Sequence, residues 1–173
     1  IDGVDPFGDI DIERTGWLAH FANRDQITYL FLSSARVFDG AMNRPYREND
    51  QTDAVDSTGK NLIKAEQILR EILDQLFILR LGLMFGGRRP NLLARTLDAF
   101  SRGETVQVSE EARGSPVHVA EVARVVHGIV DQIGTGAPRN GLFHYSGIGE
   151  TSAYAFMETV LACASQYQPF AAA

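Results

Sequence analysis

Residues 28–66, TYLFLSSARVFDGAMNRPYRENDQTDAVDSTGKNLIKAE, decide how the chain is read, because a short apolar run ends there in a dense string of polar residues. Tyr29-Leu30-Phe31-Leu32 is apolar at every position instead of alternating, which predicts a strand over 27–32 buried on both faces of a parallel sheet. Ser33 and Ser34 sit at its carboxyl end. In open α/β sheets ligands bind at that edge, so two hydroxyls followed by Ala35-Arg36-Val37-Phe38-Asp39-Gly40 make a polar rim over a crevice. The structural alternative is that the serines satisfy backbone groups where a strand stops.

Outward from this stretch the pattern alternates. Asp39-Gly40 and Asn43-Arg44-Pro45 carry turn chemistry, so a loop runs to a helix that begins near Ser57. That helix, over 57–74, has an apolar stripe of Leu62, Ile63, Ala65, Leu69, Ile72 and Leu73, with Lys60, Lys64, Glu66 and Arg70 toward water. Leu76 to Leu81 reads as a second buried strand, and Phe85-Gly86-Gly87 as a strand-end turn in preference to a phosphate cradle. A helix over 90–102 starts with Pro90 in its first turn, uses Leu92, Leu93, Thr96, Leu97 and Phe100 as its apolar side, and stops at Gly103. Thr105 to Val108 suits a short strand. Val122, Val125, Val126, Ile129 and Val130 form another helix face, and a last strand near 141–147 precedes a helix over 151–164. Before the opening stretch, 9–23 reads as a helix capped by Asp9 or Asp11, with Ile12, Trp17, Leu18 and Phe21 as its packing face. His20 has no companion ligand at metal spacing, and no metal site is expected.

Composition bounds the class. The chain has 173 residues, 45% hydrophobic and 22% charged, enough for one globular unit with a substantial core. A formal charge of -6 argues against nucleic acid as a partner, although Arg88-Arg89 could meet a phosphate. No apolar run approaches the roughly 18 residues of a membrane span. Cys163 lies in the apolar run Val160-Leu161-Ala162-Cys163-Ala164 and is expected to be buried; without a disulfide framework the chain suits a reducing cytoplasm. The start, Ile1-Asp2-Gly3-Val4-Asp5, lacks the basic and apolar regions of a signal peptide.

SSARVFDG, then PYREND, then GKNLIKAE opening a helix, resembles the central segment of the extended short-chain dehydrogenases. The pattern is most similar to the dTDP-4-dehydrorhamnose reductase family, which includes the regulatory subunit of methionine adenosyltransferase. Its motifs read roughly S-[ST]-D-Y-V-F-D-G, P-Y-x-E-x-D and Y-G-x-x-K-x-x-G-E. With the closing Glu on Glu66, Gly59 falls on the family's Gly, the active tyrosine falls on Thr58 and its lysine on Leu62. The catalytic pair is replaced. Arg113-Gly114-Ser115-Pro116-Val117 through Ala123 resembles the family's G-S-P-T-x-x-x-D-[LV]-A stretch, with Glu121 in place of Asp. Gly141-Leu142-Phe143-His144-Tyr145-Ser146-Gly147 resembles G-x-[FY]-H-x-[ST]-G, where His144 reads as a hydrogen-bonded core histidine.

The resemblance implies an α/β fold. It is part of a Rossmann-like doubly wound parallel sheet plus a small substrate-binding lobe, with the amino-terminal cofactor half absent from this chain and 1–173 forming the carboxyl-terminal portion. It implies NADPH or NADH as cofactor where that half is present, and reduction of a dTDP-4-keto-6-deoxy sugar. In that reaction a tyrosine donates the proton and a lysine tunes it. On this chain the catalytic positions are Ser34, Thr58 and Leu62, and the substrate-binding positions are Ser33, Arg36, Asn91, Arg113 and Ser115. Ser33, Ser34, Arg36, Thr58 and Arg113 are expected to converge on one crevice. Thr58 is too short and too weakly acidic to replace a phenol, Leu62 has no charge, and Tyr46 would serve only if its loop folded over the site. A nucleotide sugar or a protein is therefore the expected partner, reductase chemistry is expected to be impaired, and a homodimer is possible.

Overall fold

The computed structural model describes residues 7–87 and 92–167, which divide into two compact units. The first holds 7–81 and 125–145; the second holds 82–87, 92–124 and 146–167. Among the described residues no helix is long and apolar enough to cross a membrane.

In the first unit, α1 (Asp9–Arg24) leads to β1 (Tyr29–Ser34), a 3-10 turn (Ala35–Val37), α2 (Ser57–Ile72), β2 (Leu76–Leu81) and, later, β6 (Gly141–Tyr145). The three strands form a parallel sheet in the order β1-β2-β6. Tyr29 pairs with Leu76 and Ser34 with Leu81, while Phe77 pairs with Gly141 and Leu81 with Tyr145. The expected parallel neighbours are therefore present, with α2 packed against β1 and β2. All six residues of β2 are buried, as an unbroken apolar run in a central strand requires.

Helix α2 starts where the Asp56 carboxylate accepts from the Gly59 N–H at 2.7 Å, satisfying an orphan first-turn donor. Its buried stripe of Leu62, Ala65 and Leu69 joins Phe31, Val37 and Ile78 in the main core. Helix α1 corrects the sequence reading. It lays its small residues Thr15, Ala19 and Ala22 on the inside, whereas Trp17 is 65% exposed, Leu18 57% and Phe21 55%. That small-residue side packs against α2, where a Cβ built on Gly16 would lie in ordinary contact with Ile68 Cγ2 at 3.7 Å. The N-cap is Gly8 rather than an aspartate, and Asp11, in the first turn, contributes by accepting from Gly8 N with Oδ2 at 3.0 Å, while Asp9 makes no such bond.

The second unit is built from short pieces: β3 (Met84–Phe85), α3 (Leu92–Ser101), β4 (Arg113–Gly114), β5 (Val117–His118), β7 (Thr151–Ser152) and α5 (Ala153–Ala164). β3 pairs parallel with β5, and β4 pairs antiparallel with β7. The expected strand at 105–108 is irregular, because strand pairing in this unit is taken by these other segments. Helix α4 (Val119–Gly134) has the expected stripe, although only Val122 is fully buried and Val130 is 55% exposed. Cys163 is exposed, contrary to expectation, because the side of α5 that packs inward carries Met157 as its buried residue. Pro90 and the Arg88-Arg89 pair lie outside the described residues.

Candidate functional site

The strand register aligns three polar residues across the sheet: Ser33 of β1 stands opposite Arg80 of β2, and Arg80 opposite His144 of β6. Glu66 reaches this row from α2. Its Oε1 accepts from Ser33 Oγ at 2.7 Å and from Arg80 Nε at 2.9 Å, and its Oε2 accepts from Arg80 Nη2 at 2.6 Å. The Glu66 and Arg80 side chains are 4% and 5% exposed. A charge so far from water is tolerated only when paired and fully hydrogen-bonded, and no buried side-chain polar atom among the described residues lacks a partner. Glu66 therefore does not lie toward water as its helix position suggested; one turn after Leu62 and three residues before Leu69, it faces the sheet and meets a guanidinium there.

Arg80 binds further groups. Its Nη1 lies 3.4 Å from His144 Nε2, and its guanidinium sits 5.2 Å from the Phe38 ring centroid, a cation–π arrangement. Phe38 in turn stacks on Tyr46 with centroids 4.2 Å apart. The PYREND residues are thereby held against the end of β6: His144 Nδ1 lies 3.2 Å from the Tyr46 carbonyl oxygen, and the His144 N–H donates to Glu48 Oε1 at 2.9 Å. Arg44 donates twice to Asp50, at 2.7 and 2.8 Å, and Asp53 N donates to Val37 O at 2.9 Å. The Tyr46 hydroxyl gives its proton to Asp39 Oδ1 at 2.6 Å. That bond holds the Asp39 carboxyl below its usual range, the His144 N–H does the same for Glu48, and Arg44 holds Asp50 lower still.

Around the first turn of α2 the other candidates gather. Ser34 Oγ accepts from Arg36 N at 3.2 Å and so caps the 3-10 turn, while Arg36 pairs with Asp56 at 3.0 Å. A Cβ on Gly59 would meet Arg36 O at 2.1 Å, so glycine alone lets α2 begin this close to the end of β1. Ser34, Arg36 and half-buried Thr58 thus occupy adjoining segments. Ser33 is in the buried network, its hydroxyl committed to Glu66. Leu62 is 7% exposed within the main core.

Arg113 and Ser115 belong to the second unit. Arg113 pairs with Glu150, both side chains being largely exposed, and Ser115 O accepts from Gly147 N at 3.1 Å. A cavity of about 270 Å³ opens beside them, lined by Ser109, Arg113, Gly114, Pro116, Phe156 and Met157 among others. Asn91 lies outside the described residues. His144 is hydrogen-bonded, as the sequence reading had it, whereas Arg80 is the part of the strand-end arrangement that the sequence left unassigned; the signal available was a lone arginine inside an otherwise unbroken apolar run. Among the described residues no group of His, Cys, Asp or Glu is placed to hold a metal.

Parallel strands joined through packed helices, with polar residues at their carboxyl ends, define a Rossmann-like α/β fold. The chain belongs to the RmlD substrate binding domain family, whose model matches residues 8–172. It is 28% identical over 138 residues to a dTDP-4-keto-6-deoxy-D-glucose reductase of Streptomyces niveus, covering 79% of this chain and 46% of that protein. It is 25% identical over 154 residues to a dTDP-4-dehydrorhamnose reductase of Burkholderia thailandensis, covering 87% of this chain and 52% of that one. In fold it is similar to the NADP complex of a dTDP-4-dehydrorhamnose reductase from Bacillus anthracis, with a TM-score of 0.80 at 20% identity over 87% of this chain and 52% of the other. The chain thus spans about half the length of the curated relatives it matches.

A nicotinamide-dependent reduction asks for a proton donor and a cation beside the cofactor. Position 58 offers an aliphatic hydroxyl, and position 62 a leucine packed among Phe31, Val37 and Ala65. These residues do not fit that role.

Proposed function

We propose that this chain is the carboxyl-terminal portion of a reductase-like protein that binds a nucleotide sugar, with NADPH or NADH as the cofactor of its amino-terminal half, and whose reductase chemistry is impaired or lost. The observation that carries the reading is Leu62: at the position where the family pattern has lysine, a buried aliphatic side chain completes the core. Thr58 beside it brings no phenol. The scaffold around the strand ends remains intact, with Ser34 at the rim and the PYREND loop packed down, so ligand binding does not depend on the missing pair. General acid catalysis contributes about 10²–10⁴-fold, and with both the acid and its tuning lysine replaced the loss belongs at the upper end.

The same replaced pair favours a second reading, a non-catalytic regulatory or scaffold protein that binds a protein partner, in the manner of the methionine adenosyltransferase subunit whose family pattern the sequence resembles. Calorimetric titration of the full-length protein with NADPH and with dTDP-sugars, set beside a turnover assay, separates the two. The expected outcome is binding with turnover reduced by about 10³-fold or more relative to an active family member. Robust turnover would overturn impairment, and absence of any nucleotide-sugar binding would favour the partner-protein reading. Thr58→Tyr with Leu62→Lys is expected to raise turnover from that floor.

A further inference from the structure

The outward side of α1 is apolar where a solvated helix face is ordinarily polar. Ile10, Trp17, Leu18 and Phe21 are all more than half exposed, on the side opposite Thr15, Ala19 and Ala22, which pack inward. At about 100° per residue, Ile10, Trp17 and Phe21 fall within about 40° of one another and form one stripe about 16 Å long. Charges of both signs flank it, with exposed Glu13 and Arg24 along one edge and Arg14 and Asp25 along the other. We propose that this stripe is the interface of a symmetric dimer, in which α1 packs antiparallel on α1 of a second copy of the chain.

A second copy is the occupant because the stripe complements itself. A two-fold axis perpendicular to α1 and level with Ala19 sets Trp17 against Phe21 of the other copy and, by symmetry, Phe21 against the other Trp17. Two aromatic pairs then fill the centre. The same axis lays each charged edge beside its own counterpart running the opposite way. Glu13 comes level with Arg24 of the other copy, and Arg14 with Asp25, each to within about 1.5 Å along the helix, whereas like charges on one edge stand about 15 Å or more apart. The helix dipoles favour this antiparallel sense. Arg24 lies 5.0 Å from the Phe21 ring centroid and pairs with Asp25 at 2.7 Å, an exposed arrangement weak enough to be shared with Glu13. Covering the exposed parts of Ile10, Trp17, Leu18 and Phe21 in both copies buries on the order of 1,000 Å², the lower limit for a specific interface, so the dimer is reversible with a Kd in the micromolar range.

The inference does not rest on which ligand the protein binds. Sedimentation equilibrium of the full-length protein over about 1–100 µM tests it, and the expected result is a monomer-dimer equilibrium within that range. Trp17→Ala should raise Kd roughly tenfold or more while leaving the helical signal of the monomer unchanged, since the indole is mostly in water. Glu13→Arg and Arg24→Glu should each weaken the dimer, and the two together should restore it, because the swap recreates both charge pairs only when the helices run antiparallel. A protein that is monomeric at every concentration would overturn the dimer, whether α1 is then open to solvent or covered by another part of the chain or by a different protein. So would a dimer that Trp17→Ala leaves intact, or one that the double charge swap fails to restore.

Discussion

Two arginine–glutamate pairs occupy the two units, and their surroundings give them different weight. Arg80 and Glu66 meet at 2.6 Å with side chains 5% and 4% exposed, whereas Arg113 and Glu150 meet with 60% and 61% of theirs in water. In the first pair each charge has surrendered its hydration, so removing one partner strands the other. In the second, water replaces whichever partner is lost. A short contact between opposite charges is therefore no measure of what it holds together. What matters is whether the survivor can be solvated.

Arg80→Ala is the largest expected effect, a destabilisation of about 3–5 kcal/mol in a denaturant titration, because Glu66 is left buried and uncompensated. Glu66→Ala should match it. If either costs less than about 1 kcal/mol, water reaches the pair and the contrast between the units collapses. Gly59→Ala comes next, at about 1–3 kcal/mol, since its methyl group would be placed on the Arg36 carbonyl; thermal unfolding reads it, and an unchanged midpoint would show that α2 can shift outward without cost.

Asp56→Ala removes the α2 cap and should cost about 1 kcal/mol at pH 7. Its carboxyl is held below the usual range first by the Gly59 N–H and then by Arg36, so the stabilisation is complete above the unfolded carboxylate range and is lost as pH falls through the lowered native value. Wild type and Asp56→Ala should accordingly converge in stability on acidification, and parallel curves down to pH 2 would contradict this. Arg113→Ala is the smallest, at about 0–1 kcal/mol, and that little should shrink further in high salt.

Much of the first unit was legible because apolar runs of strand length alternate with helical periods: β2 falls on Leu76–Leu81 as read, and α2 begins at Ser57. The site was legible only in part. Ser34, Arg36 and Thr58 were found because motifs mark them, but Glu66 and Arg80 lie 14 residues apart with no periodic relation, and no local rule says that a helix carboxylate and a strand guanidinium will cancel inside a core. Ser33 was read as part of a polar rim over a crevice because its partner is 33 residues away. In α1 the large apolar residues pointed to the wrong face, because the buried side carries the small ones, Thr15, Ala19 and Ala22. The short strands of the second unit carry too few residues for any period to show.

The row Ser33, Arg80, His144 also acts on how the sheet is assembled. Sliding β2 by one residue against β1 would turn Arg80 to the opposite face and bring a hydrophobic neighbour, Leu79 or Leu81, beneath Glu66. Apolar side chains on neighbouring strands are nearly interchangeable and tolerate such a slip, whereas a carboxylate with no guanidinium under it does not. A chain whose strands are otherwise runs of leucine, isoleucine and phenylalanine thus carries a polar proofreading mark, one that lets a folding molecule reject a sheet of correct strand order but wrong alignment.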